Sequence, residues 1–151
     1  MVLVEEIQPY NMMEAEIDKL ESMFASSTIA IKNTTQFALY VKNQALYSNQ
    51  VIRENVTIGE LYGAPAYIWE IHNNSYILID NEMVLDVRNH MDNILSYVRE
   101  ENQSYQASNC YIRMMTQKDG YIKFLLVSKS VILPHEEVVY STFDFARVDL
   151  T

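Results

Sequence analysis

Apolar positions follow two different rhythms along the 151-residue chain. Near the amino terminus, Met13, Ile17, Leu20 and Phe24 recur at spacings of four and three, which puts them on one face of a helix over residues 11–24. Asn11 is a suitable cap, and Glu14 three residues later completes a capping-box start. Such a stripe serves either to pack the helix on a domain or to bind a partner or a second copy of the chain. From residue 37 the rhythm becomes that of short strands. Runs at 37–42, 51–53 and 56–61 are followed by 67–71 and 76–80, which flank the turn-forming pair Asn73-Asn74 as a hairpin. Residues 83–101 return to helical spacing through Val84, Val87, Met91, Ile94, Leu95 and Val98. Strands at 111–116 and 121–127 are joined by Gln117-Lys118-Asp119-Gly120, and Pro134 precedes a last apolar run at 138–140. The pattern predicts one α+β domain dominated by strands.

Composition narrows the class without naming a chemistry. Three glycines and three prolines leave no linker, and 49% hydrophobic against 21% charged residues is a globular balance rather than a disordered acidic tail. No stretch approaches the ~18 apolar residues of a membrane span, so no membrane association is expected. The amino terminus has neither a basic start nor an apolar core, and no signal peptide is expected from it. Eleven Lys and Arg against 20 Asp and Glu give a net charge of −9, which argues against direct nucleic-acid binding and suits a basic partner or plain solubility. The lone Cys110 can form neither an intramolecular disulfide nor a zinc site of the usual kind. His72, His90 and His135 are too far apart to pair on a helix, so no metal site is expected.

Six segments, taken in order, resemble the SET domain of protein lysine methyltransferases. Gln36-Phe37-Ala38-Leu39-Tyr40-Val41 lies where the family has G-x-G-L-F-A. Val51-Ile52 with Ile58-Gly59-Glu60-Leu61-Tyr62-Gly63 is similar to the following I-x-E-Y-x-G stretch, and residues 67–80 to the hairpin ending in I-D-A. Asn93-Ile94-Leu95-Ser96-Tyr97-Val98-Arg99 resembles N-W-x-R-Y-V-N of the PR-domain branch, and Ser108-Asn109-Cys110 resembles P-N-C. Val131-Ile132-Leu133-Pro134-His135-Glu136-Glu137-Val138-Val139-Tyr140 is similar to D-I-x-x-G-E-E-L-T-F. The departures are specific: Gln36 and Ala38 replace motif glycines, Arg99 and Glu100 replace the Asn and His of N-H-S, and Leu61 replaces a tyrosine. Anchored on Glu136-Glu137, the family's terminal tyrosine falls on Thr142 and the aromatic position that tunes methylation number falls on Tyr140. A second register through Thr142-Phe143-Asp144-Phe145 would give Phe145 the terminal place; the Glu pair and the apolar run before it favour the first.

The resemblance implies a SET (β-clip) fold over residues 34–151 with a C-terminal pseudoknot, preceded by a helical segment over 1–33. It implies methyl transfer from S-adenosylmethionine to a lysine of a basic histone tail, with histone H3 as the expected substrate. The place it implies is nuclear, at chromatin, and a cytoplasmic one stays open. A catalytically weak SET-like module that binds chromatin is the alternative, and a homodimer through the amino-terminal helix is a further expectation. Tyr140, Tyr67 and Tyr62 are the implied catalytic residues; Phe37, Ala38, Leu39, Tyr97, Val98, Arg99 and Asn109 are the implied cofactor contacts. Physical chemistry explains the tyrosines. A lysine with a pKa of ~10.4 must be neutral to attack, at a cost of roughly 3 kcal/mol near pH 8, and a narrow apolar channel lowers that cost. Aromatic walls also hold the methylated cation. Without the resemblance, Leu39 and Val98 read as core, Arg99-Glu100 as a solvated helix end and Glu136-Glu137 as loop carboxylates.

Overall fold

The computed structural model describes residues 30–149, of which those from Ile31 onward belong to one compact unit. The helix expected at 11–24 lies outside the described residues. Among them strands dominate and helices are short. Strands β1 (Leu39–Lys42) and β2 (Ala45–Ser48) form a hairpin. Its turn residues Asn43 and Gln44 have φ of 53° and 65°, the left-handed pair whose twist matches that of the strands.

The central sheet has the order β3 (Thr57–Leu61), β9 (Ile122–Ser128), β8 (Cys110–Thr116), β10 (Val139–Tyr140), β7 (Arg99–Glu100). β8 and β9 pair antiparallel along their full length, and alternate residues Cys110, Ile112 and Met114 point into the core beside Phe124 and Leu126. Gly120, at φ +85°, closes their turn in a region that disfavours any side chain. A smaller sheet sets β6 (Met83–Asp86) between β4 (Ala64–Tyr67) and β5 (Tyr76–Leu78). The core joins both sheets and the β1–β2 hairpin through Leu46, Ile58, Leu85, Leu95, Ile112 and Ile132. Full burial of a side chain of this kind stabilises by ~1.5–3 kcal/mol.

Three expectations are corrected. Residues 83–101 are not a helix: β6 is followed by turns, a 3-10 helix η2 (Ile94–Tyr97) and β7. Asn93 caps η2 by accepting the Leu95 amide at 2.9 Å. The apolar spacing that suggested one helix is met by separate buried pieces, Val84 and Leu85 from β6 and Ile94 and Leu95 from η2. The hairpin about Asn73-Asn74 is replaced by pairing of both β4 and β5 with β6, and the 3-10 turn η1 (Ile68–Glu70) follows β4. The strand at 51–53 reduces to a single bridge between Ile52 and Ile132.

The C-terminal run makes the least common connection in the fold. β10 lies between β7 and β8 and runs parallel to both, with Tyr140 opposite Glu100 on one side and Cys110 on the other. Residues 101–109, which open with the short helix α1 (Glu101–Ser104), join β7 to β8 across it. The link between β7 and β8 is therefore a crossover between two parallel strands that passes the strand lying between them. Beyond β10 a 3-10 turn (Thr142–Asp144) leads into β11 (Ala146–Asp149), which returns parallel to β8.

Candidate functional site

Asn109 and Arg99 hold the C-terminal run in place. The Asn109 amide nitrogen donates to the Glu137 carbonyl and its side-chain oxygen accepts from the Val139 amide, both at 2.9 Å. Its own backbone N–H donates to the Val139 carbonyl at 2.9 Å. Arg99 makes a two-pronged bond to the Glu137 carboxylate, Nε to Oε2 at 2.8 Å and Nη2 to Oε1 at 3.0 Å. Ser104 on α1 adds its hydroxyl to Oε1 at 2.9 Å. Hydrogen bonding to Glu137 raises the Arg99 guanidinium above its ordinary value, against the effect of burial. Glu137 is therefore a buried anchor rather than a loop carboxylate. The motif singled out Glu137, but nothing local in the sequence names its partner, which lies 38 residues away.

Beside this clasp a cleft of about 380 Å³ gathers Tyr97, Val98 and Arg99 with Tyr76, Met91 and Gln103. Tyr97 is fixed by donating its hydroxyl to the Met91 carbonyl at 2.9 Å; burial, and then the Asp92 carboxylate, raise its phenol. Three of the expected cofactor contacts thus share one cleft, and four lie elsewhere. Leu39 is in the core, Phe37 packs half-buried against it, and the Ala38 amide donates to Gln50 Oε1 at 2.6 Å. Asn109 is spent on the C-terminal run. Tyr76, Met91 and Gln103 carry no pattern in the sequence that marks them as cleft residues.

The three expected catalytic tyrosines are dispersed. Tyr140 is 1% exposed and donates its hydroxyl to the Leu78 carbonyl at 2.7 Å. Burial, and then the Glu100 carboxylate, push its phenol up strongly. Tyr62 lines a cleft of about 320 Å³ with Glu60, Tyr121 and Phe124, and its ring lies over His90. Tyr67 closes β4 and borders a third cleft with Glu70, Asp80, Glu82 and Arg147. Cys110 is buried, with its thiol pushed up by desolvation, which leaves it an unreactive core residue.

Chemically, the Tyr97 cleft offers aromatic faces for a flat ring system, an apolar floor in Val87 and Met91, and a cation in Arg99. Its volume falls within the ~300–1,000 Å³ of small-molecule sites. No family model matches this sequence, and no curated protein is significantly similar to it.

Proposed function

We propose that this chain is a SET-like, S-adenosylmethionine-dependent protein lysine methyltransferase acting on a basic histone tail, with histone H3 the first substrate to test and chromatin its place of work. The observation that carries the reading is the seating of residues 137–140 between Arg99-Glu100 and Asn109-Cys110. These segments stand where the family has its E-E-L-T-F, N-H-S and P-N-C motifs, with Arg99 and Glu100 in place of the Asn and His, and a pseudoknot of that kind needs them side by side. Backbone conformation supports it independently. His135 stands at the glycine position of the G-E-E motif and takes φ of 70°, a left-handed value that glycine adopts at least cost.

The residues of the Tyr97 cleft fit the methyl donor. Tyr76 and Tyr97 suit an adenine ring, and Arg99 suits a carboxylate through the part of its guanidinium that Glu137 does not occupy. When bound, the donor supplies an electrophilic methyl group for direct displacement by a neutral amine. The chain's contribution is to hold the two in line and exclude water. The acidic balance of −9 suits the approach of a basic tail. Isothermal titration with S-adenosylmethionine, paired with radiolabel transfer to free histones and nucleosomes, tests the proposal. An absence of both binding and label would refute it.

One observation favours a second reading, a SET-like chromatin-binding module with weak chemistry. Tyr140 keeps its hydroxyl on Leu78, inside the core, and Thr142 occupies the terminal tyrosine position. Robust turnover that disappears in Tyr140→Phe would eliminate the module reading.

A further inference from the structure

Glu137 holds Arg99 by one edge only. It accepts the Nε–H at 2.8 Å and one Nη2–H at 3.0 Å, while Ser104 donates its hydroxyl to the same carboxylate at 2.9 Å. A guanidinium carries five N–H donors in a fixed fork. Both on Nη1 and the second on Nη2 are therefore left over. This end is the one that meets the Tyr97 cleft, because Glu137 is buried whereas Arg99 is partly exposed and lines the cleft. Such an end can grip a carboxylate with two parallel bonds. Charge limits what it can grip. Among the described residues that line the cleft, Arg99 alone carries a formal charge, and Glu137 cancels it. The next carboxylate to act there, Asp92, bears on the Tyr97 phenol and adds negative charge. The cleft thus offers aimed donors with no net positive charge.

An adenosyl group that carries a zwitterion and one that carries a phosphate meet such a site differently. The carboxylate of the zwitterion takes the free end of Arg99, and its own ammonium keeps the group neutral. A phosphate monoester brings a charge of about −1.5 to −2 at neutral pH. Glu137 stands one guanidinium away and repels that charge in partly desolvated surroundings, where like charges cost affinity steeply. We infer that Glu137 is a specificity-determining residue. By cancelling the charge of Arg99 while aiming its free end, it makes the cleft accept an adenosyl amino acid and refuse adenine nucleotides. The adenosyl amino acid as occupant rests on the function proposed above; the refusal of phosphate rests on the geometry and charge of the clasp.

The test is isothermal titration of the full chain with S-adenosylmethionine, adenosine and adenosine monophosphate in turn, with no methyl acceptor present. On the parent, S-adenosylmethionine should bind most tightly and the monophosphate more weakly than adenosine, because phosphate is a liability there. Glu137→Gln keeps the shape and frees the charge of Arg99. It should narrow the preference for S-adenosylmethionine over the monophosphate about tenfold, chiefly by tightening the monophosphate, and added salt should erase that gain. Ser104→Ala takes a bond from the same carboxylate without changing any charge, and should move all affinities together. Circular dichroism checks that the variants stay folded. A monophosphate that binds the parent more tightly than adenosine, or a preference that Glu137→Gln leaves unchanged, would overturn the inference. The two proposals fail separately. A parent that binds no S-adenosylmethionine, beside a Glu137→Gln variant that gains the monophosphate, keeps the charge filter and loses the methyl donor. A parent that binds S-adenosylmethionine with a preference untouched by Glu137→Gln keeps the methyl donor and loses the filter. No binding by parent or variant would overturn both.

Discussion

Removing Arg99 should damage the domain more than neutralising the carboxylate it holds. The side chains differ in exposure, 34% for Arg99 against 6% for Glu137. Arg99→Met leaves the Glu137 carboxylate buried, with only the Ser104 hydroxyl on its oxygens. Breaking a buried pair in this direction costs ~3–5 kcal/mol. Water already reaches about a third of the guanidinium, and it will reach part of the vacated space, so the lower end of roughly 3 kcal/mol is expected. Glu137→Gln keeps the shape, the bond from Ser104 and one bond from Arg99, and it leaves behind a cation that water can solvate. Its cost should be about 1–2 kcal/mol. Urea denaturation measures both values, and a thermal scan should lower the Arg99→Met midpoint by roughly 10 °C. Equal costs, or costs below ~0.5 kcal/mol for both, would mean that the pair behaves as an ordinary surface ion pair. The idea that it locks the C-terminal run would then be wrong.

Three further outcomes follow from the same geometry. Gly63→Ala would set a Cβ 2.6 Å from the Asp86 carbonyl oxygen and 2.8 Å from Leu85 Cγ, so it should force β4 away from β6 and cost about 1–3 kcal/mol in a thermal melt. Burial alone would raise the Asp80 carboxyl, but the amides of Glu82 and Met83 and the Arg147 guanidinium outweigh it and hold it below its ordinary value. A lowered folded pKa means that this stabilisation is fully present above the unfolded value of ~3.9 and is lost as pH falls through the lower folded value. Asp80→Asn should therefore be less stable than the parent by about 1 kcal/mol near neutrality, and urea titrations should find that difference vanishing below the folded pKa. Tyr140→Phe leaves the Leu78 carbonyl without its 2.7 Å donor and should cost about 1 kcal/mol in denaturation.

The sequence was most legible where alternation of apolar and polar residues is strict and pairing is local. β8 and β9 are of this kind: their turn is marked by Asp119-Gly120, and their inward positions can be read by parity. β2 was missed, although Asn43-Gln44 between apolar runs is a two-residue hairpin signal and Asn tolerates the left-handed φ observed. The helix expected over 83–101 failed for a different reason. Spacings of three and four arise equally from a strand, a turn and a capped 3-10 segment that each contribute to one core, and Asn89 to Asn93 supply the turn chemistry that separates them. Of the candidate site, Tyr97, Val98 and Arg99 were legible as contiguous residues of one motif. Tyr76, Met91 and Gln103 join them only through folding, and the Arg99–Glu137 clasp rests on a contact between distant residues. The dispersal of Tyr62, Tyr67 and Tyr140 was equally invisible, because motif order says nothing about which way a ring points.

The central claim is that this acidic, clasped domain moves a methyl group from S-adenosylmethionine to a lysine. The most direct measurement is incubation of the full chain with methyl-labelled S-adenosylmethionine and either free histones or nucleosomes, followed by mass spectrometry of the labelled protein. Label is expected on lysine side chains of a histone tail, histone H3 first. An unlabelled histone set, together with no S-adenosylmethionine binding by titration calorimetry, would contradict it.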